Sequence, residues 1–94
     1  MPKFKHPDPE VQQQVKITLQ AIGRLLHKLR VDRKESLKNV GKAIKMSPVL
    51  ISKTEKGEYN FWLTQLHRLA QHYETTVYDI FNQAENETNH PSTK

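Results

Sequence analysis

Between residues 10 and 81 the chain holds one proline, Pro48, and three glycines, Gly23, Gly41 and Gly57. These two residue types interrupt helices more strongly than any others. So few of them leaves room for long helical runs and makes Pro48, Gly57 and Gly23 candidate boundaries. The apolar residues agree: Val15, Leu19, Ile22, Leu26 and Leu29 follow one another at spacings of four, three, four and three, the period of one helix face. Strand-like alternation and internal repeats are absent. The expectation is an all-α chain of about five helices around one core.

The helix starts are legible. Asp8-Pro9 offers a cap followed by a first-turn proline. Gly23 is a candidate break between a helical extension, residues 10–21, and a core domain, residues 22–81. Ser36 is the next N-cap candidate, followed by Leu37, Val40 and Ile44. Ser47-Pro48 is the cleanest start, because serine can cap the orphan amides and proline loses nothing at the first helical position. Leu50, Ile51 and Thr54 then form an inner face, and Gly57 stops that helix. Leu63, Leu66, Leu69, Ala70 and Tyr73 make a fourth amphipathic stripe. Thr75 or Thr76 caps a short last turn carrying Val77, Ile80 and Phe81, with Tyr73 and Phe81 expected in the core.

The ends differ from this middle. Residues 1–9 carry Pro2, Pro7, Pro9, Lys3, Lys5 and His6 and are expected to be a flexible basic arm. Residues 82–94 have one aliphatic residue, Ala84, and are expected to be a disordered polar tail. With 94 residues the chain has room for one domain. Fifteen Lys and Arg against ten Asp and Glu give a net charge of +5, which suits an anionic partner. Eight of the basic residues lie between Arg24 and Lys45, opposed only by Asp32 and Glu35. Cysteine is absent, which excludes a disulfide scaffold, a thiolate nucleophile and Cys-ligated zinc. No apolar run approaches membrane-spanning length and no signal core opens the chain, so a cytoplasmic protein is expected. The five histidines have no ligand-like spacing, since His67 and His72 are five apart. No metal, no cofactor and no enzymatic activity are expected.

Two short helices separated by Lys45-Met46-Ser47 have the layout of a helix-turn-helix, in which the second helix enters the DNA major groove. Here the residues resemble the phage repressor and Cro-type (Xre) helix-turn-helix family, with its lambda-repressor-like fold. The resemblance runs through residues 22–30, 36–57 and 63–81, and is most specific at Ile51-Ser52-Lys53-Thr54-Glu55-Lys56-Gly57 and Val77-Tyr78-Asp79-Ile80-Phe81. It implies that Val40, Ile44 and Ile51 hold the two motif helices together, and that Gly41 stands where those helices cross closely. It further implies that Arg30 and Glu55 form a partly buried ion pair, and that Ser47, Pro48, Val49, Ser52, Lys53 and Lys56 form the exposed reading surface. Three positions depart from the pattern. Lys45 replaces the usual turn glycine, Leu37 replaces a polar phosphate contact, and Phe61 stands where proline is common.

The expected function is sequence-specific binding of double-stranded DNA by a transcriptional regulator, reading the major groove with the helix that starts at Ser47. Ser36, Lys38 and Lys42 are the candidate phosphate contacts. The reading helix lacks Gln, Asn and Arg, the usual bidentate base readers, so a few contacts plus DNA shape would carry recognition. A homodimer on a palindromic operator is expected. Tyr59, Phe61 and Trp62 form either a hydrophobic cap on the core or a subunit contact. Leu25, with Val11, Val15 and Leu19, gives a second apolar surface for a partner. The alternative function is a protein-interaction module, an antitoxin or adaptor, on the same fold.

Overall fold

The structure, a computed structural model, describes residues 8–88. The expected arm at residues 1–7 and the expected tail at residues 89–94 lie outside the described residues. Five helices follow in order: α1 (Pro9–Asp32), α2 (Leu37–Ile44), α3 (Pro48–Glu55), α4 (Leu63–His72) and α5 (Val77–Thr88). No strand occurs among the described residues.

Local chemistry sets most of these boundaries. The Asp8 carboxylate accepts from the Glu10 N–H at 2.8 Å, and Pro9 opens α1. The Ser36 and Ser47 hydroxyls accept from the Asn39 and Leu50 amides at 3.0 and 3.1 Å, and the Thr76 hydroxyl accepts from Asp79 at 3.0 Å. Before α4, Gln65 reaches back: its Oε1 accepts from the Trp62 N–H at 2.8 Å and from the Tyr59 hydroxyl at 3.0 Å. Each bond satisfies an orphan amide or closes a loop onto a helix start.

Gly23 does not break α1, which runs unbroken for 24 residues. The glycine is there for closeness. A Cβ at Gly23 would lie 2.5 Å from the Glu55 carbonyl oxygen and 2.6 Å from that of Thr54, so α1 presses against the backbone at the end of α3. Gly41 plays the same part in α2, where a Cβ would collide with the Met46 carbonyl oxygen. Lys45 enters the left-handed region at φ 61°, ψ 48° and turns the chain from α2 into α3.

The core is formed by Ala21, Ile22, Leu26, Val40, Ile44, Met46, Ile51, Leu66, Leu69, Ala70, Tyr73, Val77, Ile80 and Ala84. Thr54 is the one buried polar residue among them, and its hydroxyl donates to the Leu50 carbonyl at 2.8 Å. Three expectations are corrected. Residues 82–88 belong to α5 rather than to a tail, because Ala84 is buried and lines the α1–α5 seam with Ala21. Phe81 is 40% exposed and Leu63 58% exposed, since α5 and α4 turn other residues inward. The first ten residues of α1, residues 9–18, are all exposed, so Val15 belongs to a projecting stripe and not to the core.

Candidate nucleic-acid interface

The motif is built from α2, the turn at residues 45–47 and α3. Val40, Ile44 and Ile51 are buried and join the two helices, and Met46 seals the turn beneath them. With its inner face on the core, α3 leaves Pro48, Val49, Lys53 and Lys56 exposed and Ser52 half-buried. Val49, Lys53 and Lys56 lie four and three apart on one outward strip, while Ser52 leans toward a cleft shared with α1. Ser47 is exposed, but its oxygen already accepts from the Leu50 amide, so what remains is its hydroxyl hydrogen as a donor and one further lone pair. Ser36 is engaged in the same way by Asn39. Lys38 and Lys42 stand exposed one helical step apart on α2, and Lys45 is exposed in the turn. Residues 36–54 contain Lys38, Lys42, Lys45 and Lys53 and no acidic residue, so every charged side chain of this segment is positive.

An ion pair fixes α3 against α1. Arg30 Nε donates to Glu55 Oε2 at 2.7 Å and Arg30 Nη2 donates to Oε1 at 3.1 Å. The side chains are only 13% and 7% exposed, so the pair is a two-point contact sheltered from solvent. Arg30 Nη1 also donates to the Glu35 carbonyl at 2.9 Å. One guanidinium thus ties together α1, the α1–α2 loop and α3. The bond to Glu55 holds the Arg30 guanidinium above its ordinary pKa.

His27 completes this cluster. Its Nδ1 lies 3.0 Å from Glu55 Oε1. Residue type and spacing gave no sign of the contact, because 28 residues separate the partners and only the α1–α3 crossing unites them. A second carboxylate–imidazole pair, Glu35 with His72 Nε2 at 3.0 Å, ties the α1–α2 loop to the end of α4. No metal-binding group of acidic and histidine side chains occurs among the described residues.

The candidate contact residues away from the motif are dispersed. Trp62 is 71% exposed, Phe61 is half-buried against the core, and Leu25 is half-buried on α1. Phe61 and Phe81 flank an open groove floored by Val11, Val15 and Leu19 of α1. No helix among the described residues is long and apolar enough to cross a membrane.

Two short helices crossing through a left-handed turn, with the second held against a five-helix core and its outer strip free, define a helix-turn-helix protein. The chain belongs to the helix-turn-helix domain family, which matches residues 21–79. The fold is similar to that of the clp gene regulator ClgR from Corynebacterium glutamicum. One crystal structure of that protein gives a TM-score of 0.73 at 20% identity, covering 83% of this chain and 80% of that one. A second gives 0.68 at 21% identity, covering 89% and 96%. No curated protein matches the chain.

Proposed function

We propose that this protein is a sequence-specific double-stranded DNA-binding transcriptional regulator of the Xre, or Cro and phage repressor, type, acting in the cytoplasm. The observation that carries the reading is the lysine-bearing surface of α2, the turn and α3, where residues 36–54 contain no acidic residue. It presents Lys38, Lys42 and Lys45 beside an outward strip of Val49, Lys53 and Lys56. In this reading Ser36, Lys38 and Lys42 position the protein on phosphates. Ser47, Pro48, Val49, Ser52, Lys53 and Lys56 face base edges, with Val49 suited to a thymine methyl and Lys53 to guanine. The likeness in fold to the clp gene regulator ClgR supports it. Pairing as a homodimer on a palindromic operator follows the habit of major-groove readers, with Trp62, Phe61 and Leu25 as candidate contacts.

Selection of binding sites from a random duplex library tests this. A recurring sequence should emerge, and Lys53→Ala should cost ~1–3 kcal/mol more on it than on random duplex. Failure to enrich any sequence would contradict specific recognition.

A second reading, a protein-interaction module, rests on a separate observation: Val11, Val15 and Ile17 project from an exposed half-helix, next to a groove walled by Phe61 and Phe81. Under that reading, binding partners would be lost on substituting this stripe, and duplex DNA would not bind at all.

A further inference from the structure

The Glu55 carboxylate ends α3 at a cleft whose other walls are Arg24, His27 and Arg30 of α1, Leu37 of α2, and Ser52 and Lys56 at the end of α3. The cleft therefore opens beside the strip of α3 proposed to face DNA, at the amino end of α2. His27 is its exposed member, with 57% of its side chain open to solvent, while Glu55 beneath it is 7% exposed.

Hydrogen-bond logic assigns the imidazole tautomer. His27 Nδ1 is 3.0 Å from Glu55 Oε1 and 3.4 Å from Arg30 Nη2. A carboxylate only accepts and a guanidinium only donates. The shorter contact is to the acceptor, so Nδ1 carries a hydrogen and donates it to Glu55. A neutral imidazole with its hydrogen on Nδ1 has a bare Nε2, which can only accept. A phosphodiester oxygen likewise only accepts. Contact between His27 Nε2 and a DNA phosphate therefore requires a second ring hydrogen, hence the imidazolium.

We propose that His27 is a proton-linked phosphate contact: it takes up one proton from solvent as duplex DNA binds, donating from Nδ1 to Glu55 and from Nε2 to the backbone. The proposal rests on the DNA-binding reading and extends the phosphate contacts from α2 onto α1. The charges around the ring fit such a device. Arg30 already pairs with Glu55 at two points, and Lys56 lines the same cleft. Arg24 is directed to Glu87 of α5, 3.6 Å away, and the facing residue of α2, Leu37, carries no charge. An arriving phosphate would place a second anionic oxygen, opposite Glu55, where the ring's Nε2–H can donate to it.

The test measures anisotropy of a labelled random-sequence duplex with the full chain between about pH 8 and about pH 6, the range in which an imidazole changes charge. The wild type should tighten as pH falls, by up to about tenfold per pH unit where one proton is linked. His27→Gln, which keeps an exposed polar side chain, should flatten that dependence and bind about as the wild type does near pH 8. His67→Gln, on the exposed side of α4, should leave the dependence unchanged and so separates a local effect from overall charge. If His27→Gln binds DNA with the wild-type pH dependence, the proton linkage is wrong and the DNA reading stands. If the wild type binds no duplex at any pH, the DNA reading itself fails and the linkage with it.

Discussion

The side chains that join the helices divide into satisfied and unsatisfied polar groups, and the difference predicts opposite mutational outcomes. Arg30 and Glu55 are sheltered and bonded to each other at two points, with Arg30 also holding the Glu35 carbonyl. Removing either partner strands a charge away from water, so Arg30→Ala or Glu55→Ala should each lose roughly 3–5 kcal/mol in a urea melt. A loss near that of exposed pairs, about 0.2–1 kcal/mol, would show the pair to be wet. Tyr73 is the contrary case. Its ring packs edge-on to His72 with centroids 5.0 Å apart and lies under Arg33, but its buried hydroxyl has no hydrogen-bond partner. Tyr73→Phe should therefore be neutral or stabilising by up to about 1 kcal/mol. Burial raises the Tyr73 phenol far above its ordinary range, with Glu55 and Glu35 adding to the effect. The unfolded chain would release that proton first, so the stability Tyr73 contributes is intact below about pH 10 and declines as pH rises above it. In Tyr73→Phe this alkaline decline should shrink; an unchanged pH profile would count against the buried phenol.

Glycine and alanine set how closely the elements approach. A Cβ at Gly23 would meet the carbonyls that end α3, so Gly23→Ala should destabilise the fold. Helix propensity alone predicts a gain of about 1 kcal/mol from the same change, so chemical denaturation of this variant separates the two effects by sign. This position also shows where the sequence misleads. A glycine inside a helical run signals a break and a close crossing alike, and only the neighbouring helix decides between them. The caps at Asp8, Ser36, Ser47 and Thr76 were legible because each bond spans two or three residues. The carboxyl end of α5 was not. Residues 82–88 read as polar because their only apolar residue is Ala84, yet its small size lets α5 lie close along α1 at Ala21. Helix ends using left-handed residues other than glycine were equally hard to see. Lys34, Lys45 and Glu74 all take φ near 60°, at a cost of roughly 1–2 kcal/mol each, and of these only Lys45 was marked by the motif.

At the scale of the molecule, packing sorts the surface into two unlike regions. The positive surface of α2, the turn and α3 lies on one, and the projecting half of α1 with the Phe61–Phe81 groove forms the other. The candidate contact residues could be named from the sequence because they follow from the motif. The distinctions among them needed the folded chain: the serine oxygens engaged in caps, Ser52 turned to the α1 cleft, and Leu25 and Phe61 half-spent on the core. A protein that meets DNA through lysines releases counterions as it binds, which leaves a quantitative trace in salt dependence.

The most direct measurement is the salt dependence of duplex affinity for the wild type and Lys42→Ala. Wild-type affinity should fall steeply and linearly on logarithmic axes as salt rises. Lys42→Ala should weaken all duplexes about equally and reduce the slope by ~1. Wild-type affinity that is flat in salt, or a Lys42→Ala variant with the wild-type slope, would contradict the placement of α2 on the DNA backbone.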